Sequence, residues 1–75
     1  MPTFQITIIN DTFASRSEQE LDHLDTAKRQ GLKGALEIGV DQVMDGQPLF
    51  AAEVVVAHGN TRERFIVTIG ASPLK

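Results

Sequence analysis

Apolar and polar residues alternate at the start of the chain. Phe4, Ile6 and Ile8 are apolar and the residues between them are polar, which is the two-residue period of a strand that is buried on one face. Asn10-Asp11 follows, and both residue types favour tight turns. We therefore predict a first strand, a turn, and a short antiparallel second strand at Thr12–Ser15 that ends before a polar run.

The middle of the chain changes to the period of an α-helix. Six apolar or small residues recur there at spacings of three and four, as on one face of a helix: Leu32, Ala35, Leu36, Gly39, Val40 and Val43. We interpret this stripe as the apolar face that such a helix packs against its domain.

Sequence signals also mark the two ends of this helix. Ser17 with Glu20, or Asp22 with Asp25, would each form a capping box at the start, and Leu24 as the first inward residue favours the later one. At the other end, Gly46 is suited to a left-handed cap and Pro48 prevents the helix from continuing. We predict a helix over residues 23–45.

Alternation returns after the helix. Ala52–Val56 and Phe65–Ile69 each place apolar residues at every second position, and His58–Thr61 between them has the composition of a turn. The element order is then β-β-α-β-β over a single domain, residues 1–75. This order predicts the α+β class, with a four-stranded antiparallel sheet and one long helix on one face. Strand order stays open, because either hairpin could place either strand at the centre.

The predicted helix contains an unusual number of small residues. Gly31, Gly34 and Gly39 would each cost about 1 kcal/mol relative to alanine, so a close approach of another backbone is needed to justify them. Four small residues lie at successive four-residue steps and form one ridge: Ala27, Gly31, Ala35 and Gly39. Three alternatives follow: the ridge packs on the domain's own sheet, it packs on the same helix of a second chain, or the helix is interrupted near Gly31.

The strands are apolar on both faces. If the alternating positions such as Ile6 and Val54 face the helix, then Ile9, Val55 and Ile66 point away from it. One helix cannot cover both faces of a sheet. These three residues and the ridge are therefore our candidate association surface.

Composition limits the class of function. The chain has 75 residues, no cysteine and a net charge of -3, so disulfides, thiol nucleophiles and Cys-ligated zinc are excluded. The negative charge argues against nucleic acid as a partner, because phosphate binding needs a basic surface. No polybasic patch or secretory leader is recognisable, which predicts a cytoplasmic protein without membrane contact.

The candidate catalytic residues do not form a motif. His23 lies among acidic residues near the helix start, where a solvated first turn explains it, and His58 has the position of a turn residue. Ser15, Ser17 and Ser72 are in no nucleophile motif. We therefore predict no catalytic residue, no metal site and no cofactor, and do not expect an enzyme.

Five short segments spread over nearly the whole chain form a recognisable combination: Met1-Pro2 with Phe4, Asp25-Thr26-Ala27, Ala52-Glu53-Val54, Phe65-Ile66-Val67 and Ile69-Gly70-Ala71. In these segments the chain resembles a family of small bacterial single-domain proteins of unknown function. The resemblance implies the β-β-α-β-β fold and brings no activity, ligand or functional residue. A weaker likeness is to the small β-rich domains of bacterial antitoxins.

The small size of the core points to association. A chain of this size buries roughly 60% of its unfolded surface, which is the marginal end of the range, and oligomerisation is the most available source of further burial. We predict a non-enzymatic module that acts through homodimerisation or contact with another protein. The alternative is an antitoxin-like or nucleic-acid-associated regulatory domain.

Overall fold

The computed structural model describes residues 2–72 and has the predicted order of elements. The elements are β1 (Thr3–Ile9), β2 (Ala14–Glu20), α1 (Leu24–Met44), β3 (Leu49–His58) and β4 (Thr61–Gly70). All strand pairs are antiparallel, and α1 packs against β1, β3 and β4. The α+β prediction is confirmed.

The strand order, which the sequence left open, is β2-β1-β3-β4. Each hairpin places its first strand at the centre, so the apolar β1 and β3 pair with each other through the register Ile6 to Val56 and Ile8 to Val54. The polar β2 and the mixed β4 become the edges. This order buries the two most apolar strands from both sides and leaves charged residues at the edges.

The turn between β1 and β2 is organised by one side chain. Asn10 Oδ1 accepts hydrogen bonds from the backbone N–H groups of Thr12 (2.9 Å) and Phe13 (3.0 Å) and from the Thr12 hydroxyl (2.9 Å). The Asn10 N–H in turn donates to the Phe13 carbonyl oxygen at 3.0 Å. The predicted turn is confirmed, and its geometry is that of an asparagine side chain that mimics a backbone turn.

Replacing Asn10 by alanine is expected to lower the free energy of unfolding by about 1–2 kcal/mol, because three donors lose their acceptor at once. Asn10→Asp keeps an acceptor oxygen and should cost less. Asp11→Ala, at the adjacent exposed position, is the control and should change stability very little. Urea unfolding followed by far-ultraviolet circular dichroism measures all three. Equal losses for N10A and D11A would contradict this role of the side chain.

The second strand is longer than predicted. The sequence predicted Thr12–Ser15, whereas β2 spans Ala14–Glu20 and includes the polar run. Six of its seven residues are exposed, so the strand lacks the alternation of apolar and polar residues by which a strand is predicted from sequence. Backbone pairing with β1 over the full register, from Thr3 with Glu20 to Ile9 with Ala14, holds this edge strand in place.

The helix begins at Leu24, one residue later than predicted. His23 is the N-cap and makes no side-chain capping hydrogen bond, so the Asp22 cap is wrong by one position. The earlier start at Ser17 is also wrong, because that residue belongs to β2. At the other end the prediction is confirmed, since Gly46 has φ 107° and its N–H donates to the Val43 carbonyl oxygen at 3.1 Å.

The core lies between α1 and one face of the sheet. The predicted inward residues of β1 and β3, from Phe4 to Val56, are buried there, and Val67 of β4 joins them. Phe50 was not predicted to be inward, yet it is 2% exposed and is among the largest fully buried side chains. It lies opposite Ile69 in the β3–β4 register. Phe50 is two residues before Ala52, so it points to the same face of β3 as the predicted inward residues.

The molecule is elongated for its mass. Its radius of gyration is 13.7 Å and its extents are 49 × 20 × 16 Å, whereas a compact chain of 75 residues has a radius of about 11 Å. The accessible surface of 5363 Å² likewise exceeds the ~4,500 Å² expected from mass alone. One helix on a sheet of long strands leaves more surface in water than a compact domain of this size would.

Candidate association surfaces

The small-residue ridge packs against the chain's own sheet. Ala27 and Ala35 are 0% exposed, and Gly31 and Gly39 are buried as well. A β-carbon on Gly31 would lie 2.6 Å from Val54 Cγ1, which leaves no room for a side chain. Of the three alternatives for the ridge, packing on the domain's own sheet is therefore the one found, in a continuous helix, and these four residues are not at the surface.

The close approach of the ridge turns the larger apolar residues of the helix outward. Leu32, Leu36 and Val40 are 40%, 39% and 50% exposed, so the interpretation that they belong to the buried face is wrong. Leu32 follows Gly31 directly, and successive residues differ by about 100° around a helix. When the row of small residues faces the sheet, the row that starts one position later lies on the side of the helix, where solvent reaches it.

This outward row continues to the end of the helix. Met44, at the next four-residue step, is 80% exposed, so Leu32, Leu36, Val40 and Met44 form one exposed row, which we call the outer stripe. The outer stripe runs for about 18 Å, since an α-helix rises 1.5 Å per residue. It is the longest uninterrupted run of exposed large apolar side chains in the part of the chain that the structure describes.

A row of charged residues lies beside the outer stripe. It consists of Arg29, Lys33, Glu37 and Asp41, all exposed and all at four-residue spacing, and we call it the charged row. Its two basic residues lie in the N-terminal half of α1 and its two acidic residues in the C-terminal half. The two rows together line a shallow open groove along the helix.

The open face of the sheet offers a weaker apolar surface. Ile9 and Ile66 do point away from the helix, 38% and 64% exposed, as predicted. Glu53 of β3 lies between them in the register and forms an ion pair with Arg64. A charged pair thus separates the two isoleucines, and each is a single exposed aliphatic of the kind common on protein surfaces.

Val55 also lies on the open face, but it is only 6% exposed. It sits on a central strand between Thr7 of β1 and Arg64 of β4. Its position agrees with the predicted face, while its burial leaves little area for a partner to cover. The association role of Ile9, Val55 and Ile66 stays a prediction, and the outer stripe is the larger surface.

The two histidines have separate local environments. His23 is the exposed N-cap of α1. His58 ends β3, with Nδ1 3.0 Å from the Thr3 carbonyl oxygen and its ring 5.0 Å from that of Phe4. Within residues 2–72, no group of three or more His, Asp or Glu side chains is arranged to hold a metal ion.

The sequence contained a signal for the outer stripe, in side-chain size. Two rows of apolar or small residues run along α1, and only the small one permits backbone contact with the sheet. In the structure, Lys28 forms an ion pair with Glu63 of β4 at 3.3 Å, in agreement with this rotation of the helix. No described helix is long and apolar enough to cross a bilayer.

Comparison with known proteins gives no relative. No protein-family model, curated protein or solved structure matches the chain.

Proposed function

We propose that the chain is a small non-enzymatic module that works by association, and that its first partner is a second copy of itself bound through the outer stripe. The observation that carries the proposal is the continuous exposure of Leu32, Leu36, Val40 and Met44 on one helix. Single exposed apolar residues are ordinary, whereas contiguous ones mark contact surfaces.

The thin core supports the same proposal. The domain has one helix over one face of its sheet. Its accessible surface is about a fifth larger than the surface expected for a folded protein of this mass. Association covers apolar surface that folding of a single chain leaves in water, and it stabilises the folded state by mass action. A second copy is available wherever the chain itself is present.

The association is expected to be reversible and concentration-dependent. A stripe about 18 Å long gives an interface at the small end of the range, below roughly 1,200 Å², where contacts are weak and transient. Light scattering after size exclusion, repeated over a range of micromolar concentrations, should therefore show a shift from 8.2 kDa towards twice that mass.

Leu36→Glu is expected to weaken this dimer at least about tenfold, because it introduces a charge at the centre of an apolar contact and removes apolar area. Gln30→Glu is the matched control. It introduces the same side chain at another exposed helix position, on the side of α1 away from the outer stripe, and should leave the dissociation constant unchanged.

Sedimentation equilibrium on the wild type, L36E and Q30E measures the effect, with circular dichroism to confirm that all three fold. A wild-type chain that stays monomeric at every concentration contradicts the proposal. So does a dimer that L36E leaves intact, because the interface would then lie elsewhere.

A further inference from the structure

We infer that two copies pack α1 against α1 in antiparallel orientation, related by a two-fold axis that passes near Ala35 and Leu36. The inference rests on the proposed function and adds the geometry of the complex. Its basis is the order of charges in the charged row, which is basic, basic, acidic, acidic from Arg29 to Asp41.

A two-fold axis perpendicular to both helices places the same side of each helix along the same side of the contact, with the two chains running in opposite directions. The charged row of one copy therefore lies beside the charged row of the other copy, in the opposite order. Arg29 lies opposite Asp41 of the second copy, and Lys33 lies opposite Glu37 of the second copy. Each pair occurs twice in the dimer, so the surface is complementary to itself, as a two-fold contact requires.

A parallel pairing does not use the charged row in this way. Its two-fold axis runs along the helices and places the charged rows of the two copies on opposite sides of the contact, where they do not meet. Only the antiparallel pairing brings the two rows together, and there their charges are complementary. The order of charges therefore favours the antiparallel arrangement. Charged residues at the rim of a contact set orientation and register more than affinity, which is the role that the charged row has here.

The first three residues of the outer stripe fit the same axis. The midpoint between Arg29 and Asp41 is residue 35, and the midpoint between Leu32 and Val40 is residue 36. One residue corresponds to about 1.5 Å along a helix, so the charged row and these three apolar residues share one centre, while Met44 lies beyond them at the level of Lys28 of the second copy. Leu36 then meets its own copy at the axis, and Leu32 meets Val40 of the second copy.

Charge reversal tests the arrangement. K33E and E37K each place like charges opposite one another at two symmetry-related positions, and each should weaken the dimer about five- to tenfold at low ionic strength. The double variant K33E/E37K restores opposite charges across the axis. Its dissociation constant should return to within about twofold of the wild-type value.

The control for K33E is R62E. Arg62 is exposed on β4 and faces away from the helix, and this substitution changes the net charge by the same amount. It should leave the dimer unaffected. The single-variant losses should also fade in high salt, which screens exposed charges.

The outcomes separate this inference from the proposed function. If L36E disrupts the dimer while K33E, E37K and the double variant all behave like the wild type, the antiparallel arrangement is wrong and association through the outer stripe stands. If the double variant is weaker than either single variant, the arrangement is likewise wrong. A wild-type monomer at every concentration overturns both.

Discussion

Phe50→Ala is expected to lower the free energy of unfolding by about 3–5 kcal/mol, which is the range for removal of a buried phenylalanine. Phe50 is 2% exposed, and its ring is in the core between β3 and α1. A domain of this length has a total stability of roughly 4–11 kcal/mol, so this single change removes a large part of it.

The loss has two sources. The apolar ring atoms lose their burial, and a cavity remains, because the glycine opposite them has no side chain that could fill it. A β-carbon built on Gly39 would lie 2.6 Å from Phe50 Cδ2, which shows how tightly the ring contacts the helix backbone. The structure can close this gap only by moving α1 towards the sheet.

Leu49→Ala is the matched control for Phe50→Ala. Leu49 is the preceding residue on β3, points to the opposite face and is 65% exposed, so its truncation should change stability by less than about 0.5 kcal/mol. The chain has no Trp and no Tyr, and urea unfolding is therefore best followed by far-ultraviolet circular dichroism. Similar losses for both variants would contradict the assignment of the two faces of β3.

Gly39→Ala is expected to destabilise the domain by about 2 kcal/mol, although alanine is the better helix former. The helix gains about 1 kcal/mol from the substitution. Against this gain, the new β-carbon would lie 2.6 Å from Ile69 Cδ1, 2.6 Å from Phe50 Cδ2 and 2.9 Å from Phe50 Cε2. Overpacking of this kind costs about 1–3 kcal/mol, and two contacts with a buried ring place the cost at the upper end.

Gly34→Ala separates the packing effect from the helix-forming effect. A β-carbon there would meet Ile8 Cδ1 at 3.0 Å, the flexible end of one side chain, which can shift by a few tenths of an ångström. The variant should be neutral or more stable by up to about 1 kcal/mol. Thermal and urea unfolding of G39A and G34A measure the difference, and a stabilised G39A would contradict close packing of the ridge.

The two predicted effects share a physical cause. The ridge lets the backbone of α1 approach the sheet until aromatic and β-branched side chains contact it directly, and this approach sets the rotation of the helix. Leu32, Leu36 and Val40 are exposed as a consequence. The packing of the core and the candidate site are thus two results of one arrangement of small residues.

Local patterns predicted most of the fold. Alternation placed β1, β3 and β4, Asn10 predicted the first turn, and Gly46 predicted the end of the helix. These features depend on contacts between residues that are near in sequence, so the sequence determined them. The faces of the strands also followed, because side chains of successive residues on a strand must point to opposite sides.

Strand order and the length of β2 could not be read from the pattern. Both depend on which strand edges pair. Backbone hydrogen bonds form whether the side chains are polar or apolar, so the pattern of polar and apolar residues does not predict the pairing. The polar run at the end of β2 is a strand only because β1 is beside it. The burial of Val55 has the same origin, since neighbouring strands cover it on both sides.

By itself, the sequence determined that α1 carries both a small-residue ridge and a row of large apolar residues, and that one of them had to face the sheet. Only the tertiary structure decided which. Contact between helix and sheet is closest where side chains are smallest, so the ridge turned inward. The leucines and valine that periodicity assigned to the interior became the exposed surface on which association is proposed.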